Sequence, residues 1–175
     1  MLLKQGSLTI RNAVPDDAPQ LEKWWNDGKV MAHAGFPLGL GKKAEEIAAQ
    51  IARDTEEDRR LILELDRRPI GEMSYRRVDQ ACAEIGIKIC DFSLHNQGLG
   101  KQFLSMLIQS LFGEFGYQKI ILDTNLKNLR AQHVYEQLGF RRVRVNKDAW
   151  TDQLGAPQCV VDYELIPEHF VNFAK

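Results

Sequence analysis

The spacing of apolar residues along this chain switches between two periods, and each switch marks a different kind of element. At Leu8 to Arg11 apolar and polar positions alternate, which predicts a strand. Pro15-Asp16-Asp17 then opens a helix running to about Asn26, with proline in its first turn and two carboxylates at its partly positive end. That helix carries Leu21, Trp24 and Trp25 and stops near Gly28. Gly35, Pro37, Gly39 and Gly41 crowd the next loop, a density that predicts mobility or close approach to another segment. A second helix is expected from roughly Lys42 to Arg53, with Ile47, Ala48 and Ile51 on one stripe.

From Leu61 the period returns to two. Leu61 to Leu65, Ile70 to Val78 and Ala81 to Cys90 read as three consecutive strands, the first two joined by Asp66-Arg67-Arg68-Pro69. In the third, Ile85, Ile87 and Ile89 alternate with Glu84, Gly86 and Lys88. Such short connections predict an antiparallel meander. Leu99, Phe103, Met106, Leu107, Leu111 and Phe115 then mark a long, substantially buried helix. Ile120-Ile121-Leu122 is a short continuous apolar strand of the kind covered on both faces. Asn128 to Leu138 predicts another helix, closed by Gly139. Phe140 to Val145 and Cys159 to Leu165 complete the strands, joined by a loop around Trp150, Asp152 and Gly155. This order predicts one α/β domain spanning residues 1–175, on a mixed sheet: a meander, a helical crossover, then a final hairpin.

Composition narrows the partners. At 175 residues the chain can bury one sizeable core, and 44% hydrophobic with 27% charged residues is usual for a soluble globular protein. A net charge of -1 supplies no broad positive surface, so neither nucleic acid nor a membrane is expected as a partner. The start MLLKQGSLTIRN is too short in its apolar run for a signal peptide, which makes a cytoplasmic location the default. Cys82, Cys90 and Cys159 lie in apolar surroundings without a CxxC pair and read as buried free thiols. Together with the four histidines they do not offer metal-ligand spacing, and no metal is expected.

Two segments carry candidate chemistry. The first, HNQGLGKQF at residues 95–103, links a strand to the long helix. It is not a Walker loop, and Phe103 stands where a dinucleotide fingerprint would place its third glycine. Backbone N–H groups from Gln97 to Lys101 would still face outward at the helix's positive end, with Gly98 and Gly100 leaving room for an anion. A tight turn and a phosphate cradle explain this stretch equally well. The second segment, DTNLKNLRAQHVYEQLGF at 123–140, places Asn128, Ala131, Tyr135 and Leu138 along one helical stripe. A buried Asn or Tyr there needs a hydrogen-bond partner or costs about 1–3 kcal/mol. A ligand beside the helix would supply one, and so would a backbone carbonyl.

Together the two segments resemble the signature motifs of the GNAT superfamily of acetyl-CoA-dependent N-acetyltransferases. The first, His95-Asn96-Gln97-Gly98-Leu99-Gly100, resembles that family's acyl-CoA loop Gln/Arg-x-x-Gly-x-Gly/Ala at Gly98 and Gly100 and departs from it at His95, where Gln or Arg is usual. The second matches at Asn128, Ala131, Tyr135, Glu136, Gly139 and Phe140. Trp24, Asp27 and Val30 are similar in flavour to the Rim-type branch, which acetylates amino termini of ribosomal proteins. The resemblance implies a GNAT-like fold of about seven strands with helices on both faces. It implies acetyl-CoA as cofactor, a primary amine as acceptor (a protein amino terminus among the candidates), and a monomer or homodimer. Small amines such as aminoglycosides or polyamines are the alternative acceptors, and a non-catalytic acyl-CoA-binding module is a further one. Tyr135 would protonate the leaving thiolate; Asp123, Glu84 or a water chain would take the amine's proton. Backbone groups at Ile87 to Ile89 would polarise the carbonyl and pair with pantetheine. Gln97, Gly98, Leu99, Gly100 and Lys101 would hold the pyrophosphate, with Asn128 and Arg130 contacting the cofactor from the partner helix. Trp24, Trp25, Phe36 and Trp150 would line the acceptor's approach. The loop from Met31 to Gly41 carries no carboxylate, which favours a peptide or a less cationic amine, while Asp27, Glu72 and Asp152 are the carboxylates that could still contribute to a cationic acceptor's pocket.

Overall fold

A computed structural model describes residues 1–174. One mixed sheet of eight strands, ordered β1-β2-β3-β4-β5-β6-β8-β7, organises the chain. β1 (Leu2–Gln5) precedes the strand expected first. MLLKQ lacks the length for a clear alternation signal, but Gly6 at φ +57° turns it back onto β2 (Leu8–Asn12). β3 (Asp58–Leu65), β4 (Arg68–Arg77) and β5 (Cys82–Ile89) form the predicted antiparallel meander. α4 (Leu99–Gly113) then crosses to β6 (Lys119–Asn125), which runs parallel to β5. β7 (Arg141–Thr151) and β8 (Pro157–Leu165) close the sheet as a hairpin, with β8 inserted beside β6.

Helices cover both faces. On one side α1 (Ala18–Trp25), the short α2 (Gly28–Met31) and α3 (Ala44–Ile51) bury Leu21, Trp25, Met31, Ile47 and Ile51 around Ile62 of β3. On the other, α4 and α5 (Leu129–Gln137) pack Phe103, Leu107, Leu111, Tyr135 and Leu138 against the strands of the larger core. Arg11 ties the first layer to the sheet. Its Nε lies 2.7 Å from Glu64 of β3 while its Nη atoms make bonds of 2.7 and 2.8 Å to Asp17, just ahead of α1.

Three local outcomes differ from the periodicity reading. The glycine-rich loop contains α2 and a 3-10 turn, Ala32–Ala34, because the Asp27 side chain caps Lys29 N–H at 2.8 Å. α4 ends before Phe115, which instead stacks against Tyr117 and meets Tyr75 edge-on. Trp150 sits inside β7 rather than in a loop, since β7 resumes pairing at Trp150↔Gln158 after an irregular stretch.

Gly139 ends the α5 region at φ +95°, and a Cβ there would lie 1.8 Å from the His169 carbonyl oxygen. The glycine thus lets the segment after β8 cross α5 closely, a contact sealed by Val171 N–H bonding to Leu138 O at 3.0 Å. Gly139→Ala is expected to lower the unfolding free energy by about 2–3 kcal/mol, measured by urea titration. An unchanged midpoint would show that the segment moves aside without cost.

Candidate active site

β5 and β6 pair at Cys82↔Lys119, Ala83↔Ile120 and Glu84↔Ile121, and their pairing ends there. β5 runs on to Ile89 still bonded to β4, and β6 runs on to Asn125 still bonded to β8. The two strands therefore form a wedge, and the β5 edge from Ile85 to Ile89 faces it without a neighbouring strand. A row of unpaired backbone groups is a template for an added extended chain. The wedge opens into a cleft of about 1430 Å³, walled by β5, β6, the start of α4 and the inner face of α5.

At the wide end of the wedge lies the HNQGLGKQF turn. Asn96 and Gly98 both adopt left-handed backbone, at φ +63° and +76°, and Gly98 caps α4 without a side-chain bond. The N–H groups of Leu99, Gly100 and Lys101 consequently have no partner within the helix and stand at its positive end. Positive φ accounts for glycine at 98. Gly100 is different: its φ is ordinary and a Cβ there would meet nothing within 4 Å. Glycine inside a helix costs about 1 kcal/mol relative to alanine. No atom of the chain requires it here, so the space beside Gly100 fits an anionic group from outside the chain. Gln97 turns away and bonds Ser93 O at 3.0 Å. Lys101 lines the cleft, bonds Gln137 at 3.0 Å and lies 4.1 Å from the Phe173 ring centre.

His95 bridges the mouth of the wedge. Its Nε2 is 2.9 Å from the Ile89 carbonyl and its Nδ1 is 2.6 Å from Arg130 Nη1, while Phe92 meets its ring edge-on. A carbonyl can only accept and a guanidinium can only donate, so the proton sits on Nε2 and the lone pair on Nδ1. Asn128 is the N-cap of α5, its Oδ1 accepting Ala131 N–H at 3.2 Å and its Nδ2 3.4 Å from Thr124 Oγ1. As the N-cap it stands just ahead of the helix whose stripe it was expected to share with Ala131, Tyr135 and Leu138.

Two titratable groups, Tyr135 and Asp123, line the cleft, and the Asp123 charge acts on the Tyr135 phenol. Tyr135 is buried between Phe140 and Tyr163, with ring centres 5.8 and 5.7 Å away, and lines the cleft. Burial first, then the charges of Asp123 and Tyr163, push its phenol above the ordinary tyrosine range, so the proton stays on. Asp123 stands on β6 two residues beyond the last β5 pair. Water reaches its carboxylate through the cleft, but protein walls the remaining sides. This desolvation, with Glu84 and Asp162 nearby, raises its pKa above the usual carboxylate value. Those neighbours have partners of their own: Glu84 pairs with Arg76, and Asp162 accepts from Arg144 Nε at 2.7 Å and Asn146 Nδ2 at 2.9 Å. Asp123 has no cationic partner among the described residues.

Beyond Asp123 the cleft broadens under α2. Trp25 and Trp150 line it, whereas Trp24 and Phe36 pack half-buried into the smaller core. Trp25 donates its indole N–H to buried Glu72 at 2.9 Å, and Lys88 Nζ reaches the same oxygen at 3.1 Å. Trp150 lies so near Gly35 that a Cβ there would sit 2.4 Å from the indole. Gln153, from the β7–β8 hairpin, holds this glycine loop with three bonds: its N–H to Gly35 O (3.0 Å), its Oε1 to Leu38 N–H (3.0 Å), and its Nε2 to Gly39 O (2.8 Å). His33 also lines the cleft, its pKa lowered by burial and by the charge of Arg130. Of the residues here, Glu72 was among the carboxylates expected to contribute to the acceptor side, whereas Lys88, Arg60, His33 and Gln153 went unread because their significance lies in cross-strand and cross-loop pairing. The glycine density of the 35–41 loop signalled mobility or close approach, and the close approach is what Trp150 and Gln153 make.

Comparison with known proteins places this geometry. The family described as the acetyltransferase (GNAT) domain matches residues 7–141. Among solved structures, RimL, a ribosomal L7/L12 alpha-N-protein acetyltransferase in complex with coenzyme A, is 17% identical with a TM-score of 0.83, covering 95% of this chain and 98% of its own. Spermidine N-acetyltransferase from Vibrio cholerae, in complex with CoA and spermine, is 20% identical with a TM-score of 0.82, covering 96% of this chain and 100% of its own. The acetyltransferase from Salmonella typhimurium that modifies the N-terminal serine of L7/L12 is 16% identical, with a TM-score of 0.81 and coverage of 95% and 99%. At such identities these structures share the fold, and the match over residues 7–141 supplies the family: the chain belongs to the GNAT acetyltransferases.

Proposed function

We propose that this protein is an acetyl-CoA-dependent N-acetyltransferase whose acceptor is the primary amine at a protein or peptide amino terminus. The observation that carries this reading is the unpaired β5 edge, which leads from the helix α4 amino end to the pair Asp123 and Tyr135. Acetyl-CoA supplies the thioester carbonyl that the amine attacks. The backbone from Ile85 to Ile89 holds the pantetheine arm as an added strand and offers an N–H to the carbonyl oxygen. The N–H groups of Leu99, Gly100 and Lys101 take the pyrophosphate, and Arg130 adds charge from α5. Tyr135, kept protonated by burial, donates its proton to the departing sulfur. Asp123 accepts the proton of the amine, and its raised pKa makes it a stronger base than an ordinary carboxylate. Glu84, held by Arg76, acts through its charge on Asp123 and not as the base itself.

The cleft's carboxylates favour a peptide over a polyamine. Glu72 and Glu84 already have cationic partners, so a polycation would find few free anions. The solved relatives do not decide the question, since protein and spermidine acetyltransferases share this fold at similar scores.

Tyr135→Phe should lower kcat by about 100-fold while shifting the acetyl-CoA Kd by less than about threefold. A wild-type rate would remove Tyr135 from proton transfer. Asp123→Asn should reduce kcat/KM comparably and abolish the acid limb of the pH profile, on which wild-type activity rises as Asp123 ionises. Its stability carries the opposite sign. A raised folded-state pKa means the stability contributed by the protonated carboxyl is lost as pH climbs through that pKa. Asp123→Asn should therefore melt no lower than wild type at pH 7 by calorimetry, and an unchanged pH profile would exclude Asp123 as the base. Gly100→Ala should raise helix stability by up to about 1 kcal/mol yet weaken acetyl-CoA binding several-fold in titration calorimetry. Unaltered binding would place the pyrophosphate elsewhere.

A further inference from the structure

Across the floor of the broad half of the cleft, Arg60, Ser74 and Gly86 are directly opposite one another on β3, β4 and β5. Continuing the β5–β6 register by two residues past Glu84↔Ile121 brings Gly86 opposite Asp123 across the wedge. These four positions form one row, and its middle is nearly bare. Ser74 is exposed, its hydroxyl bonds no described residue, and a Cβ on Gly86 would meet Ser74 Oγ alone, at 3.2 Å. The adjoining rows are walls of compensated charge, Arg76 with Glu84 on one side and Lys88 with Glu72 on the other. The result is a lane with a carboxylate at one end and a guanidinium at the other.

Arg60 at the far end is uncompensated. It lies over the Trp25 ring at 4.9 Å, and its Nη1 is buried without a hydrogen-bond partner among the described residues. It forms no ion pair there either: Asp54 accepts the Arg60 backbone N–H at 2.8 Å without reaching the guanidinium, and the Asp58 charge acts on Arg76. A buried, orphaned guanidinium donor is costly unless an acceptor arrives to meet it. Lys29 and His33 line the same cleft and add no negative charge.

We propose that the Arg60–Ser74–Gly86 lane is the acceptor subsite, and that it selects peptide amino termini bearing an acidic side chain within their first few residues. The amine sits at Asp123 and the carboxylate meets Arg60. Two strand spacings of about 4.8 Å separate Arg60 from Gly86, and the wedge adds a further, wider step. An amine and a carboxylate that far apart belong to a short extended segment rising about 3.3 Å per residue, not to a single free amino acid. The Trp25 ring backs the guanidinium at 4.9 Å without taking its N–H donors, which remain for the carboxylate. This inference rests on the transferase reading for the position of the amine, while the anion end of the lane does not depend on it.

The test uses the full chain with bound CoA or acetyl-CoA and C-terminally amidated tetrapeptides carrying Glu or Gln at positions two to four. A neutral tetrapeptide with a free C-terminal carboxylate distinguishes a side-chain anion from a terminal one. Thiol release is expected to show kcat/KM at least roughly tenfold higher for a Glu peptide than for its Gln counterpart, with calorimetry of the CoA complex showing the same order. Arg60→Gln should erase both preferences, and Arg60→Lys should restore part of them; retained CoA binding in each variant verifies the fold. Equal rates for Glu and Gln peptides in the wild type, a preference surviving in Arg60→Gln, or selection of the free C-terminus alone would each overturn the proposal. Arg60-dependent binding of Glu peptides without thiol release from any acceptor would instead overturn the transferase reading and leave the anion subsite standing.

Discussion

Everything functional in this fold depends on β5 and β6 parting after three paired residues. A parallel pair buried between helices would ordinarily continue its ladder, because unpaired backbone groups in a protein interior are costly. Here each strand is held on its outer side instead, β5 by β4 as far as Gly71↔Ile89 and β6 by β8 as far as Asn125↔Val160. The sheet therefore stays intact while its middle opens. The large core beneath supports this: Ile85 and Leu122, on either side of the opening, remain buried under α4 and α5. The wedge is thus a rigid feature of the sheet, and the groups on its rim are preorganised.

The opening also dictates the electrostatics. Strands that separate cannot exchange cross-strand ion pairs, so a charged side chain beyond the fork must find a partner on its outer neighbour or go without. Lys88, beyond the fork on β5, finds Glu72 on β4, and the same outward pairing gives Glu84, in the last β5–β6 pair, to Arg76 and Asp162 of β8 to Arg144 of β7. Asp123 faces the fork and has Asp162 as its opposite residue on β8, a like charge. Its raised pKa follows from this placement together with its protein walls. The position that lacks a structural counter-charge is the one proposed above to take the amine's proton, and Arg60 is its counterpart of opposite sign.

The sequence disclosed much of the fold because its signals were local. Alternation at Ile85, Ile87 and Ile89, the apolar stripe of α4 and Gly139 each report a conformation fixed by nearby residues. β1 was missed because four residues of MLLKQ carry too little pattern, and Trp150 was misplaced because β7 regains its register only after an irregular stretch. The cofactor side of the site was legible, since its glycines and helix start lie within one continuous segment. The acceptor side was not. Glu72 could be named as a candidate carboxylate, but Arg60 and Lys88 come from two other strands and acquire meaning beside it only through register, which no single window contains. Of the four aromatics expected there, Trp25 and Trp150 line the cleft while Trp24 and Phe36 fill core, a difference set by which face of a helix or loop meets the sheet.

His95 shows how an irregular residue can preserve a geometry. Its ring joins the last carbonyl of the open β5 edge to Arg130 at the start of α5, so it fixes the width of the wedge where an extended ligand would leave it. That task needs one donor and one acceptor on the same side chain, directed oppositely. A glutamine amide offers the same pair of groups, as an N–H for the carbonyl and a C=O for the guanidinium. Arginine, with donors alone, could hold the carbonyl but would repel Arg130. The choice of His at 95 is therefore coupled to the presence of Arg at 130. The two residues are one device for keeping a cation poised beside the helix start that is proposed to take the phosphates.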